Sequence, residues 1–443
     1  MLSTITAKCE GVNAVGYGIV SGKDRKYLVF GLLPGEEAIV ELGDDGTGSI
    51  VKLLQTSPLR QKPRCPRYAE CGGCHLQHAD YAFQLELKTR AVKESFQNNG
   101  IDPDVVLPCI GMKEPYHYRN KIQMALSEKG RKVLAGFYEE NTHRIVNVDD
   151  CTIQDETANA IVRTCKALME KHKIPAFDEK KAIGLMRHVM VKRSEKTAQI
   201  LVILVTVSEM FPGRNNFVTD LRKAHPEITS IVQNVNDRAT SVVLGDFERV
   251  LFGPGTIEDE MHGMRFLIAP RTFYQVNAKQ TDILYQKALE FAKPKAEDLM
   301  VDAYSGVGTI ALIFGSHVKQ VEAVEINPAS VKNAIQNARM NRVKNVRFTT
   351  ADAKDFLAGL AEEGIIPDLL TVDPPRNGLE PAFLDALEKI KPKRIVYISC
   401  DPNTLSRDLA RMVRSGYMVK RAQPVDMFCQ TFHVETVVCL ERK

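Results

Sequence analysis

The chain has 443 residues, 44% of them hydrophobic and 26% charged, with a formal net charge of +4. Such a composition excludes a disordered or low-complexity chain, and no apolar run is long enough to span a bilayer as a helix. The slight positive balance permits nucleic-acid binding without indicating it, and the length leaves room for about two to four domains. The first residues, Met1-Leu-Ser-Thr-Ile-Thr-Ala-Lys8, lack the basic and apolar stretches of a signal peptide. Ten cysteines in such a chain argue against a disulfide framework, and the expected compartment is the cytoplasm.

Residues 1–57 read as short strands between glycine turns, with Tyr27–Phe30 and Glu37–Leu42 the clearest. This pattern predicts a small β-barrel of the oligonucleotide-binding kind and resembles a TRAM domain, an RNA-binding barrel. Lys52 to Arg67 holds five basic residues (Lys52, Arg60, Lys62, Arg64, Arg67) and no acidic one. Taken alone, that stretch and its prolines read as a solvated linker. Residues 80–99 have helical spacing and a stop at Asn99-Gly100; Asp155 to Lys173 is a second helix, and Ile200 to Val207 a buried strand. Residues 58–268 are therefore expected to form a central α+β domain.

From about residue 270 the texture changes to strand–loop–helix units. Leu299–Asp302, Val321–Glu325, Val346–Thr349, Leu369–Val372 and Ile395–Ile398 read as strands of a doubly wound parallel sheet, giving a C-terminal α/β domain of Rossmann-like type over 269–443. The loop Asp302-Ala-Tyr-Ser-Gly306-Val-Gly308 lies between strand and helix, and Glu325 ends the next strand, where an acid can bind ribose hydroxyls. The third glycine of the dinucleotide fingerprint is missing, which argues against NAD and suits S-adenosyl-L-methionine, a nucleoside without phosphates. A structural turn beside an exposed acid is the plainer alternative.

Cys400 follows the strand Arg394–Ile398 and Ser399. Asp373-Pro-Pro-Arg376 ends another strand 27 residues upstream, and Glu435 lies 35 residues downstream. A thiolate next to a methyl donor has one well-defined use. Carbon 5 of uracil is too weak a nucleophile to attack a sulfonium methyl. A thiolate added at carbon 6 makes carbon 5 enolate-like; after methyl transfer a base removes the carbon 5 proton and the thiol leaves. Cys400, Glu435 and the Asp302–Glu325 region can supply thiol, base and donor site. A core cysteine and a solvated acid are the commoner fates of these residue types.

Asp373-Pro-Pro-Arg-Asn-Gly378 and Ile395-Val-Tyr-Ile-Ser-Cys-Asp-Pro-Asn-Thr404 together resemble the signature of the RNA uracil-5-methyltransferase family, and Val425 to Glu435 resembles its second signature. The resemblance implies Cys400 as nucleophile and Glu435 as proton-abstracting base. It implies S-adenosyl-L-methionine contacts from Gln275, Tyr304, Glu325 and Asp373, and Phe273 packing against the substrate base. Two positions depart from the family pattern. Asp401 stands where asparagine is usual and should raise the thiol pKa; Cys429 replaces a proline and should alter only a turn.

Cys65-x5-Cys71-x2-Cys74, with Cys151 as a fourth ligand, can hold zinc or an iron–sulfur cluster, and His75 and His78 could also serve zinc. Spacing does not choose between them. The family resemblance does: the four cysteines match the ligands of a 4Fe-4S cluster in ribosomal-RNA members carrying a TRAM domain. The expected protein is a 23S ribosomal RNA uracil-5-methyltransferase acting on a base extruded from the RNA, with no membrane association and no evident obligate protein partner. The rivals are methylation of the transfer-RNA T-loop, whose enzymes are expected to lack barrel and cluster, and an inactive RNA-binding ribosome-assembly protein.

Overall fold

A computed structural model describes residues 3–443 apart from 131, 140, 141, 143, 239 and 241. Near the N-terminus, residues 3–55 form a six-stranded sheet whose two edges are Ser3–Lys8 and Gly11–Val12. These edges are successive halves of one bent strand, so the sheet closes on itself around Val20, Val29, Leu32 and Val40. Glu37–Leu42 alternates strictly between buried and half-buried residues, as a one-sided strand should.

The basic stretch after the barrel differs from the expected solvated linker. The guanidinium of Arg60 donates to both carboxylate oxygens of the buried Glu36, at 2.5 and 2.6 Å, and to Gly31 O. Arg64 lies 4.1 Å from the ring centre of Tyr116. Two of the five cations thus tie the barrel and its exit to the rest of the chain. The Tyr81–Asn98 helix follows, capped by Asp80, whose side chain accepts from Ala82 N and Phe83 N.

The central region is a seven-stranded sheet, antiparallel except where Ile200–Thr206 pairs with Ser230–Val235. Every residue of Ile200–Thr206 is buried, because both faces are covered. Val202 and Leu204 meet the Glu156–His172 and Arg214–Ala224 helices. Leu201, Ile203 and Val205 pack into the core of the C-terminal region, together with the hairpin Ile257–Met261/Met264–Ile268. Helix Glu156–His172 begins at the Asp155 cap and stops at Lys173 in the left-handed conformation.

The C-terminal sheet has the order Val346–Thr350, Gln320–Glu325, Leu299–Ala303, Leu369–Val372, Arg394–Ser399, Glu435–Arg442, Tyr417–Val425. The first five strands are parallel, as expected. The last two are antiparallel and insert Glu435–Arg442 beside Arg394–Ser399, a feature the local pattern does not reveal. The order reverses between Leu299–Ala303 and Leu369–Val372, which opens a crevice at their C-terminal ends, the usual ligand position of such sheets. Among the described residues no helix is long and apolar enough to cross a membrane.

Candidate active site

A cavity of about 460 Å³ occupies that crevice; Phe273, Tyr304, Gly306, Glu325, Asp373 and Phe383 are among its lining residues. Glu325 is fixed by its own strand end: one carboxylate oxygen accepts from Gly306 N at 3.0 Å, the other from Asn327 N at 2.8 Å. Both oxygens keep a lone pair for a ribose. Tyr304 holds the left-handed φ of 66°, rare for a tyrosine, and its ring lies 5.7 Å from that of Phe383. Gly308 starts the following helix at φ 83°, and a Cβ there would meet the Phe348 ring at 2.8 Å. Aromatic walls, a ribose-directed acid and a short glycine turn fit a nucleoside sulfonium. Phe273 is 69% exposed at the cavity, open to a partner ring.

Cys400 and Glu435 meet through strand register. In the antiparallel pair Ser399 faces Thr436, so one step further along the same register Cys400 comes opposite Glu435. Val372 faces Tyr397 in the parallel pair on the other side, which brings Asp373 to the neighbouring tip. Thiol and acids thus stand on three adjacent strand ends, and Asp373 joins them to the cavity.

Their electrostatics are interlocked. Burial pushes the Cys400 thiol up to about 11; Glu435 and Asp373 push the same way and Arg376 opposes. Burial likewise raises Glu435 to about 8, with Asp373 adding and Arg376 opposing, and raises Asp373 to about 7. Asp401 lies outside the leading influences on Cys400, which are burial, Glu435, Arg376 and Asp373. Its side chain is engaged as a helix cap, accepting from Asn403 N at 2.8 Å and Thr404 N at 3.1 Å. The largest upward pushes on the thiol come from burial and Glu435. The helix that Asp401 caps, Pro402–Arg414, directs its positive end toward Cys400 and favours a thiolate there.

Several contributors escape local pattern reading. Tyr285, buried in the Ala278–Ala292 helix, lines the cavity and feels Asp373, Asp302, Glu435 and, with the opposite effect, Gln275. Asp302 is buried beneath the cavity, accepting from Thr371 Oγ1 at 2.6 Å, and burial raises it to about 7. Lys88 and Asp426 form a fully buried ion pair, with Tyr81 donating to Asp426 at 2.7 Å and Lys88 to Phe428 O at 3.1 Å. This network anchors the loop that leads into Glu435.

The four cysteines Cys65, Cys71, Cys74 and Cys151 line one small, largely apolar cavity, together with Arg119; neither His75 nor His78 lines it. His78 is instead bonded to the Tyr68 hydroxyl at 2.6 Å. Burial, reinforced by the neighbouring sulfurs, pushes Cys74 up to about 12 and Cys151 to about 11. Among the described residues no group of three or more His, Cys, Asp or Glu is placed to hold a metal ion. The cysteine loop also braces the active site: His75 N and Leu76 N both donate to Gln430 O, at 2.9 and 3.0 Å. Gln430 itself is held at φ 69°. Cys429 is buried, with its thiol directed at Asp426 O.

Residues 255–443 match the model of the tRNA (uracil-5-)-methyltransferase family. An uncharacterized RNA methyltransferase of Oceanobacillus iheyensis is 40% identical over 99% of this chain and 96% of its own. One from Halalkalibacterium halodurans is 41% identical over 98% and 96%. The solved Pyrococcus abyssi tRNA (uracil-54, C5)-methyltransferase, in complex with S-adenosyl-L-homocysteine, superposes with a TM-score of 0.79 at 28% identity, covering 98% of this chain and 100% of its own. The chain belongs to the RNA uracil-5-methyltransferase family. It is an S-adenosyl-L-methionine-dependent enzyme that methylates uracil carbon 5 in RNA.

Proposed function

We propose that the protein methylates uridine in 23S ribosomal RNA in the cytoplasm through a covalent bond between Cys400 and the pyrimidine. The observation that carries the chemistry is the register that sets Cys400 opposite Glu435 beside the donor cavity. Cys400 Sγ bonds to carbon 6 of the uracil, and the electron pair of the 5,6 double bond moves toward oxygen 4. Carbon 5 then takes the methyl group as the sulfonium C–S bond breaks, releasing S-adenosyl-L-homocysteine. Glu435 removes the carbon 5 proton, and the thiolate departs as the double bond re-forms. Cys400 adds as the thiolate, having lost its proton beforehand; Glu435 takes the carbon 5 proton in its ionised form, and burial, which raises it to about 8, makes that carboxylate a stronger base than an exposed glutamate near neutral pH. Phe273 packs against the extruded base; Gln275, Tyr304, Glu325 and Asp373 hold the methyl donor.

Residues 1–57 are read as a TRAM-like RNA-binding barrel, 58–268 as the central unit and 269–443 as the methyltransferase, with the Ile257–Ile268 hairpin at the seam between the last two. Cys65, Cys71, Cys74 and Cys151 are read as ligands of a 4Fe-4S cluster. The choice of a 4Fe-4S cluster over zinc rests on the family resemblance, since the spacing of the cysteines suits either. The mutual repulsion of these sulfurs is what a bound cationic core would relieve, and Arg119 at the same cavity would offset the negative charge the four thiolates leave over. Such a cluster would serve structure or RNA positioning, since methyl transfer moves no single electron.

One finding favours a second reading. The Pyrococcus protein, named for a transfer-RNA uracil, matches 98% of this chain and all of its own length. A transfer-RNA enzyme therefore shares the full layout, and the barrel does not discriminate against the T-loop as the sequence reading expected. Assays with S-adenosyl-L-methionine on both purified RNAs decide. Methyl incorporation confined to ribosomal RNA is the expected result, and incorporation confined to transfer RNA overturns the target. RNA carrying 5-fluorouridine, which cannot lose its carbon 5 substituent as a proton, should leave the protein covalently attached; no adduct with the native protein would overturn the covalent route.

A further inference from the structure

A second cavity, of about 470 Å³, lies in the central region, away from the methyl-donor crevice. It opens between the Lys121–Lys129 strand, the loop of residues 175–184 and the start of the Met186–Arg193 strand. A register shift between Met186 and His188 bulges that strand, and both Arg187 and His188 line the cavity, although neighbours on a regular strand face opposite sides. Both are more than nine-tenths buried, and each carries an unpartnered buried nitrogen: Nε of Arg187 and Nδ1 of His188. The remaining guanidinium nitrogens of Arg187 are fixed by Glu179 at 2.8 Å, Asn236 O at 3.1 Å and Arg238 O at 2.6 Å, and its plane lies over Phe177. Burial lowers His188 to about 4, so its ring is neutral and offers one donor and one acceptor. At the mouth, Tyr138 is 41% and Ile183 60% exposed, and Lys180 and Lys181 stand beside them.

We propose that this cavity receives an unpaired nucleotide of the substrate RNA, its base edge facing Arg187 and His188, its ring against Tyr138 and Ile183, and its phosphate toward Lys180 and Lys181. Apolar faces with a few buried polar groups are the usual way proteins read splayed-out bases. The acids at the site are already engaged. Glu128 accepts from Ala176 N, Asp178 from Lys180 N and Lys181 N, and Glu179 from Arg187; Asp178 also pairs loosely, at 3.4 Å, with the largely exposed Lys181 ammonium, which a phosphate would draw away. The same Met186–Arg193 strand carries Lys192 four residues beyond His188, whose ammonium donates to Ala269 O at 2.9 Å and Thr272 O at 2.8 Å, just before Phe273. One strand thus links this cavity with the loop that supports the reaction site, roughly 13 Å along the strand.

The inference rests on the RNA-methylating reading, so its test uses whichever of the two RNAs the native full-length enzyme methylates; failure on both defeats that reading and this one together. Tyr138→Ala and the double change Lys180→Ala/Lys181→Ala act at the mouth of the cavity, the second also removing the exposed Lys181–Asp178 ion pair at 3.4 Å. Each should raise KM for RNA about tenfold, leaving kcat, affinity for S-adenosyl-L-methionine and melting temperature within twofold or two degrees. 4-Thiouridine placed at successive unpaired positions should cross-link one nucleotide to the segment 175–188. Unchanged KM in both variants without such a cross-link overturns the site, as does binding of free mononucleotide there that leaves the KM for RNA unaffected.

Discussion

Cys400 and the four-cysteine cavity hold the same functional group in two opposite settings. All the shifted thiols in both places are pushed up by burial first, yet what surrounds them differs. Cys400 is half-buried, opposes an acid in the strand register, and has Arg376 and a helix start to favour its charged form. The cluster thiols repel one another, and Arg119 is the cation at their cavity. A raised thiol pKa therefore has two meanings. At a strand tip beside a titrating carboxyl it describes a nucleophile charged only when needed; inside an apolar cavity shared with three other sulfurs it describes ligands awaiting a counter-charge.

The sharpest way to break this contrast is to replace one sulfur of each kind. Cys400→Ser should cut methyl transfer by roughly 10³-fold or more, since a hydroxyl at this position has no base that keeps it ionised. Its melting temperature should stay near the native value, because Cys400 is half-buried and belongs to none of the large hydrophobic cores. Turnover near the native rate would remove Cys400 from the reaction. Cys74→Ser should show the reverse profile. We expect the brown colour of anaerobically purified protein to be lost and stability to fall by about 3 kcal/mol or more, read as a lower melting temperature. Turnover below that temperature should fall only about tenfold, through loosening of the Gln430 contacts. Colourless native protein with one zinc per chain would replace the iron–sulfur assignment.

The two regions were unequally legible in the sequence. Strand tips, helix caps and glycine turns are local, so Cys400, Glu325 and the ends of both long helices could be placed from spacing alone. The meeting of Cys400 with Glu435 depends on the reversed last strand pair, whose register is set by tertiary packing. Lys88 had a faint signal: Gln84, Lys88 and Ser95 recur on the buried face of the Tyr81–Asn98 helix, where polar residues imply partners. Gln84 has near partners in Leu76 O and Ala79 O, but those of Lys88 and Ser95, and the Gln430 partner of Gln84, lie more than 300 residues away, beyond any local window. Arg60 was misread for the same reason, since a cation that neutralises a distant buried Glu36 looks like linker charge until the barrel folds.

The smallest effect expected, and the one that sharpens the reading of Glu435, is in the pH dependence of stability. Burial raises Glu435 to about 8, against about 4.3 for an exposed glutamate. Between those values the folded state holds a proton that the unfolded chain has released. The contribution is full below about pH 4 and is lost as pH rises through about 8. Glu435→Gln is neutral at every pH and escapes that loss. The variant's melting temperature relative to native should therefore climb by a few degrees between pH 5 and pH 9, whatever its offset at pH 5. The same change removes the acid that helps to raise Cys400, so addition to RNA should persist while elimination stalls, and a covalent complex should accumulate with ordinary uridine. A flat melting difference combined with rapid turnover would give the proton-abstracting role to another group at the site, with Asp373 the next in line.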